Sequence, residues 1–128
     1  MPKAKQLTIS AQDRPGTLSE IAKLLGDAGV NIVAMNCATF GVEGAIQIVP
    51  DDIQKAKRVL DDMRLPYTEQ DVLYVELKNS PGCLGKFAGK LAAHGINVTT
   101  GYGTAVESSD SASLVLRVSD LNAASKIR

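Results

Sequence analysis

The sequence predicts an α+β protein made of two successive βαββαβ repeats, and two observations lead to this prediction. Residues 13–31, DRPGTLSEIAKLLGDAGVN, return 66 positions later as residues 79–97, NSPGCLGKFAGKLAAHGIN. Each copy has helical apolar spacing and is flanked by segments in which apolar and polar residues alternate, as in strands. The copies share seven residues at matching positions: Pro15 and Pro81, Gly16 and Gly82, Leu18 and Leu84, Ala22 and Ala88, Leu25 and Leu91, Gly29 and Gly95, and Asn31 and Asn97.

The first repeat begins with a strand and a helix. Residues 5–11, KQLTISA, alternate apolar and polar side chains, which is typical of a half-buried strand. The helix that follows is expected to bury one apolar stripe, formed by Leu18, Ile21, Ala22, Leu25 and Ala28. Gly29 comes just past the last turn, where a glycine commonly ends a helix.

The rest of the first repeat supplies three strands and a second helix. The strands are residues 31–38, 45–49 and 66–70. Pro50 is expected to open the second helix, with Asp51 and Asp52 in an acidic first turn that suits the helix dipole. Pro66 stops this helix before the last strand. The order predicts a ferredoxin-like unit, with an antiparallel four-stranded sheet and both helices on one face.

The second repeat follows the same order but stops early. Its strands begin with residues 73–77, continue with residues 97–104 and end with residues 114–118, and the helical stripe recurs at Leu84, Phe87, Ala88 and Leu91. Asp120 then caps a short helix. Because Gln70 corresponds to position 136, the second repeat lacks its last strand. We expect a truncated or naturally short end rather than an edge supplied by a neighbour.

The predicted boundary lies near Asp71, where no Gly- or Ser-rich linker occurs. The first domain is therefore residues 1–70, and the second, C-terminally incomplete, is residues 71–128. A unit of about 60 residues buries only a marginal core, so we expect association. In the second strand, Val33, Met35 and Cys37 alternate with other apolar residues, which predicts an apolar open sheet face and a homodimer.

Composition argues against several classes of function. The chain has 14 Lys and Arg against 14 Asp and Glu, and nucleic-acid binding normally requires a basic surface. Cys37 and Cys83 have no metal-ligand spacing, so we expect neither a metal nor a cofactor. No segment approaches the about 20 apolar residues of a membrane span, and no signal peptide is evident. We expect a cytoplasmic protein that binds neither membrane nor nucleic acid.

The loop between the first strand and first helix of each repeat is the candidate binding site. Gly16 and Gly82 allow a ligand to approach the backbone, and the free N–H groups of the helix start suit a carboxylate. Asp13 and Asn79 come just before and can accept hydrogen bonds from an ammonium group.

A purely structural role for this loop is the alternative. Pro-Gly before a helix is common, and Asp13 or Asn79 can cap the helix. Thr17 and Glu20 also fit a capping box, but the second repeat has Cys83 at the position of Thr17, so the box is not what the repeat preserves.

The duplicated segment resembles the signature of ACT domains, the βαββαβ regulatory modules of amino-acid metabolism. The resemblance covers essentially the whole chain, as in stand-alone tandem ACT proteins and the regulatory region of aspartate kinases. It implies a free amino acid as effector, held between ACT domains by the loop of one and the second-strand start of the other. The residues implied are Asp13, Arg14, Pro15, Gly16, Thr17, Leu18, Asn31, Ile32, Asn79, Ser80, Pro81, Gly82, Cys83, Leu84, Asn97 and Val98. Asp13 replaces the family's frequent Asn, so the two sites should differ.

Other classes of function find less support in the residues. An acylphosphatase-like enzyme needs an arginine in a phosphate-cradling loop; Arg14 is present, but the second repeat has Ser80 there. His94 is the single histidine and is expected at a helix end, so we expect no enzyme. RNA recognition needs aromatic residues on the central strands, which are scarce. The serious alternative to amino-acid sensing, with an unidentified enzyme of amino-acid metabolism as possible partner, is a ligand-free dimerisation module.

Overall fold

A computed structural model describes residues 3–40 and 43–127. The elements in chain order are β1 (Lys3–Gln12), α1 (Thr17–Asp27), β2 (Ile32–Phe40), β3 (Glu43–Pro50), α2 (Ile53–Asp62), β4 (Tyr67–Lys78), α3 (Cys83–Ala93), β5 (Val98–Ala105), β6 (Ser111–Val118) and α4 (Leu121–Ser125). The described chain forms two compact units, residues 5–70 and residues 71–127 with Lys3 and Ala4. The predicted α+β class with two ferredoxin-like repeats is confirmed. No helix in the described ranges is long and apolar enough to cross a membrane.

In the first unit, β3 lies between β2 and β1, and all neighbouring strands are antiparallel. On its other side β1 lies next to the start of β4, where the Ser10 N–H donates to the Pro66 carbonyl at 2.9 Å. Both helices pack on one face of this sheet. Their shared core contains Leu7, Ile9, Ile21, Leu25, Val30, Ile46, Ile48, Ala56 and Leu60.

The second unit repeats this plan with fewer strands. β6 lies between β5 and β4, again antiparallel. Its core, under α3 and α4, contains Leu73, Val75, Phe87, Leu91, Ile96, Leu116, Ala124 and Ile127. No strand follows α4 within the described residues, in agreement with the prediction. The unit also includes Lys3, whose Nζ donates to Asn122 Oδ1 at 2.6 Å.

The second helix of the first unit begins later than predicted. Pro50 is the last residue of β3 and pairs with Ile32, so the prediction that it opens α2 is wrong. Asp52 is instead the N-cap, because its extended backbone lets Oδ1 accept from the Lys55 N–H at 3.1 Å. The predicted cap at Asp120 is confirmed by an equivalent bond from Ala123 at 3.0 Å.

The first helix of each repeat buries less of its apolar stripe than predicted. The buried positions are Ile21 and Leu25 in α1, and Phe87 and Leu91 in α3. Leu18 is 41% exposed and Leu84 is 58% exposed, and Ala28 and Ala88 are also exposed. The repeat therefore preserves a leucine at the helix start that the core of its own unit does not need.

The apolar residues of β2 do not lie where the sequence suggested. Met35 and Cys37 lie opposite Ile48 and Ile46, which are buried under the helices. Directly opposite residues of antiparallel strands share a face, so Met35 and Cys37 are on the helix side of an exposed edge strand. The expectation that they line the open face is wrong, and the homodimer itself stays a prediction.

Candidate functional site

Each unit has a cleft beside the loop that joins its first strand to its first helix. In the first unit the cleft has a volume of about 230 Å³, and in the second about 210 Å³. The predicted residues that line the first are Asp13, Arg14, Thr17 and Leu18, and those that line the second are Asn79, Ser80, Cys83 and Leu84. Because the two clefts are at equivalent positions of the repeat, they are the candidate sites.

The repeated glycine of each loop is the N-cap of the helix. Gly16 has φ 91° and Gly82 has φ 87°. Both angles are in the left-handed region, which residues other than glycine adopt at a cost of about 1–2 kcal/mol. A Cβ at either position would meet no atom within 4 Å. The glycines are therefore explained first by backbone conformation, and the space beside them is open to a ligand.

None of the side chains predicted to cap α1 does so. Asp13 Oδ2 instead accepts from Thr39 Oγ1 at 3.0 Å, which ties the loop to the end of β2. Thr17 Oγ1 donates to the Gln12 carbonyl at 2.9 Å, so the capping box with Glu20 is wrong as well. Asp13 Oδ1 accepts no hydrogen bond from the described part of the chain.

The N–H groups at the start of each first helix are consequently available. The N–H groups of Leu18 and Ser19, and those of Leu84 and Gly85, find no acceptor within residues 3–40 and 43–127. Helix N-termini of this kind attract anions, because the unpaired N–H groups carry the positive end of the helix dipole. The first of these residues in each helix, Leu18 or Leu84, also lines the cleft, so the available N–H groups begin at the edge of the cleft.

Charge distinguishes the first cleft. Its carboxylate is Asp13, and its cation is Arg14. The guanidinium of Arg14 donates from Nε to Gln12 Oε1 at 3.3 Å and approaches Glu20 Oε2 to 3.8 Å. The ion pair of Arg14 with Glu20 is exposed, so the first cleft presents both the guanidinium of Arg14 and the carboxylate of Asp13.

Within the described chain, the second cleft is lined by a cation and by no carboxylate. Asn79 replaces the aspartate, and its Nδ2 donates to the carbonyls of Val106 and Ser109, at 3.2 and 3.1 Å, in the turn between β5 and β6. Lys78 is the charged residue of the lining, and Ser80 Oγ lies 2.9 Å from Cys83 Sγ. The two clefts share a shape and differ in electrostatics.

The predicted residues at the second-strand start are not in the clefts. Asn31 comes just before β2, and Ile32 is its first residue. In the second repeat, Asn97 comes just before β5, and Val98 is its first residue. The clefts lie at the other ends of these strands, so Asn31 and Thr39 are separated by about 26 Å at 3.3 Å per residue. The side-chain amides of both asparagines are exposed and have no hydrogen-bond partner in the described ranges.

The backbone at these asparagines is held in the same way in both repeats. The Asn31 N–H donates to Asp51 Oδ1 at 2.9 Å, and the Asp51 N–H donates back to the Asn31 carbonyl at 3.0 Å. The Asn97 N–H donates to Ser119 Oγ, and the Ser119 N–H donates back to Asn97, both at 2.9 Å. The asparagine side chains are thus presented to solvent from a fixed backbone.

The far walls of both clefts were not identified from the sequence. They are small residues of the second and third strands: Cys37, Ala38, Thr39, Gly44 and Ala45 in the first unit, and Gly103, Thr104, Ala105 and Ala112 in the second. A Cβ on Gly103 would collide with the Leu114 side chain and lie 2.5 Å from the Ser113 carbonyl oxygen. In the sequence, only the glycines at positions 101 and 103 of β5 indicate that this wall is tightly packed.

The family follows from comparison with known proteins. The ACT-domain family model matches residues 5–64. The first repeat is an ACT domain. A search of curated proteins finds no match to the chain. Among solved structures, protein BT0572 from Bacteroides thetaiotaomicron is 28% identical, with a TM-score of 0.89 over 97% of this chain and 85% of that one.

Two further structures show that the ACT fold extends through the second repeat. The regulatory subunit of aspartate kinase from Thermus thermophilus, in a ligand-free form, has a TM-score of 0.73 at 17% identity, covering 95% of this chain and 87% of that chain. The corresponding subunit from Thermus flavus has a TM-score of 0.63 at 17% identity, covering 89% and 81%. The predicted tandem ACT arrangement is confirmed at the level of fold.

Proposed function

We propose that this protein is a regulatory protein that binds a free amino acid at its ACT clefts. The observation that carries the proposal is the duplicated cleft, at whose edge helix N–H groups with no acceptor among the described residues accompany a polar side chain. An amino acid presents a carboxylate and an ammonium group a few bonds apart, so it needs both kinds of partner close together. The regulatory subunits of aspartate kinase share the fold, which is consistent with a regulatory role.

The first cleft provides the more complete set of partners. We place the carboxylate of the ligand on the N–H groups of Leu18 and Ser19, and its ammonium group on Asp13 Oδ1, which accepts no hydrogen bond from the described residues. Thr39 orients Asp13 through its hydrogen bond, so the carboxylate need not be reorganised when the ligand arrives. The exposed side chain of Leu18 then covers the aliphatic part of the ligand.

The exposed asparagines point to an interface between ACT domains. Asn31 cannot reach the cleft of its own unit, and its side-chain amide has no partner among the described residues. Placed against the loop of another ACT domain, the amide would contribute a donor and an acceptor to the bound amino acid. The ligand would then act by favouring the associated form, and only to the extent that it binds that form more tightly.

The ligand-free interaction module is the second candidate. Exposed apolar side chains favour it: Leu18, Leu24, Val33, Met35, Leu84, Val98 and Val106 are all at least 37% exposed. A module of this kind would use the same fold to associate with a second copy or with an enzyme of amino-acid metabolism. It requires no ligand, so a binding measurement separates the two candidates.

A thermal-shift screen of the twenty amino acids is expected to identify at least one stabilising ligand. A ligand present at a hundredfold excess over its dissociation constant adds about 2.7 kcal/mol to the free energy of unfolding, if it binds only the folded state. The measurement is the unfolding midpoint of the full chain with each amino acid at millimolar concentration. If no amino acid raises the midpoint, the ligand-free interaction module is the better description.

Replacing Asp13 with asparagine is expected to weaken binding of that amino acid by about 10-fold to 150-fold. A hydrogen bond to a charged group contributes about 1.5–3 kcal/mol, and the substitution removes the charge that faces the ammonium group. Calorimetric titration of the variant with the amino acid found in the screen measures the change.

The control for this variant is Asp27→Asn, which removes the same charge at the exposed other end of α1. Its ion pair with Lys23 is exposed, so little stability is lost. Equal affinities for Asp13→Asn, Asp27→Asn and the unmodified chain would mean that the ligand binds elsewhere.

A further inference from the structure

The open face of the sheet in the second unit, turned away from α3 and α4, carries a row of two tyrosines around a valine. Tyr74 of β4 and Tyr102 of β5 both lie opposite Val115 of β6 in the antiparallel register. Leu116, the next residue along β6, belongs to the core under the helices. Since successive side chains of a strand alternate between faces, the tyrosine row is on the other face.

This row has the character of an interface centre. Val115 is only 2% exposed, although the described helices of its unit pack on the opposite face of the sheet. Both tyrosines are half-buried, and burial raises the pKa of Tyr102 to about 12. Large aromatic side chains with an apolar body and a polar tip are the residues that most often dominate the binding energy of interfaces.

Opposite charges flank the tyrosine row. Arg117 is two residues beyond Val115 along β6 and lies opposite Thr100 of β5. Glu76 is two residues beyond Tyr74 along β4, on the other side of the tyrosine row, and lies opposite Ser113 of β6. Both charged side chains are exposed. Alternate residues of a strand are about 6.7 Å apart, so the two charges lie at matching distances on either side of the row. Lys78 lies one row beyond Glu76.

We propose that this open face is the contact surface for a second copy of the same chain. When two such faces meet around a two-fold axis that runs along the tyrosine row, the tyrosines of the two copies stack at the centre. The side that holds Arg117 in one copy then faces the side that holds Glu76 in the other, and the reverse holds on the far side. The face is therefore complementary to itself in charge.

The size of the face sets the strength of this contact. Three strands about 4.8 Å apart, each contributing about six residues, present a flat area of about 300 Å² per copy. Specific interfaces bury about 800 Å² per partner, so a flat area of about 300 Å² is well below that of a stable dimer. We therefore expect the second copy to be held weakly and reversibly.

Charge reversal tests the proposal. In sedimentation velocity runs from about 1 to 200 µM, the full chain is expected to pass from monomer to dimer. Arg117→Glu places like charges against each other twice, so the dissociation constant should rise at least 10-fold, and Glu76→Arg should have the same effect. The double variant Glu76→Arg with Arg117→Glu restores both pairs and is expected to dimerise within about threefold of the unmodified chain.

Lys86→Glu is the matched control, because it reverses a charge on α3, on the other side of the sheet, and should leave the dissociation constant unchanged. Circular dichroism confirms that each variant is folded. A chain that stays monomeric to 200 µM would falsify the proposal, and the partner of this face would then be a different protein. Dimerisation that Arg117→Glu does not weaken, or that the double variant does not restore, also overturns it. Arg117 and Glu76 line neither cleft, so amino-acid binding is tested separately.

Discussion

Replacing Leu25 with alanine is expected to lower the free energy of unfolding by about 2–5 kcal/mol. Leu25 is fully buried where α1 packs on the sheet of the first unit, in the same core as Leu7 and Leu60. The truncation loses the transfer free energy of the removed carbons and leaves a cavity that the helix and sheet can only partly close. Urea unfolding followed by circular dichroism measures the change.

Leu24→Ala provides the control, because it removes the same atoms from the adjacent position, where the side chain is 37% exposed. Its cost should stay well below that of Leu25→Ala, at no more than about 1 kcal/mol. Similar losses for the two variants would show that α1 does not present Leu25 to the core. The repeat-related Leu91 is 1% exposed and should behave like Leu25.

Two glycine-to-alanine substitutions in the second unit are expected to change stability in opposite directions. At Gly103 an added Cβ would lie 2.5 Å from the Ser113 carbonyl oxygen, so β5 must move away from β6. We expect Gly103→Ala to cost about 1–3 kcal/mol. At Gly89, inside α3, the added Cβ meets no atom within 4 Å, and alanine should stabilise the helix by about 1 kcal/mol.

Urea midpoints of the two variants, measured against the unmodified chain, decide this prediction. Two stabilising substitutions would mean that β5 and β6 are not as close at Gly103 as the structure has them. Two destabilising substitutions would mean that α3 is packed against another surface at Gly89. The Gly103→Ala variant should also narrow the second cleft, whose wall that glycine forms.

The fold could be predicted because its determinants are local and duplicated. Alternation in β1, helical spacing in α1 and the glycine after α1 each specify one element, and the second copy repeats them. The start of α2 could not be placed in the same way. Pro50 and Asp52 are both good first residues of a helix, and the choice depends on the pairing of Pro50 with Ile32 across the sheet.

The site was predicted only in part, for a geometric reason. The loop residues Asp13 and Thr17 are contiguous in sequence, so the repeat marks them. The opposite wall, with Thr39, comes from strand ends that are distant in the chain and is made of small residues that no motif distinguishes. Periodicity also assigned Leu18 to the core, since a stripe of apolar positions does not show how far the sheet extends beneath the helix.

The paired hydrogen bonds at Asn31 and Asn97 have a consequence for how such proteins diverge. Aspartate accepts the bond in one repeat and serine accepts it in the other, while the backbone geometry stays the same. Once a gene segment has been duplicated, mutation can therefore exchange these side chains freely, provided that an oxygen remains in place. Sequence similarity then decays faster than architecture, and here the family model matches residues 5–64 whereas the fold is matched over 97% of the chain. Related chains in which both copies have drifted this far would be recognised by their backbone alone.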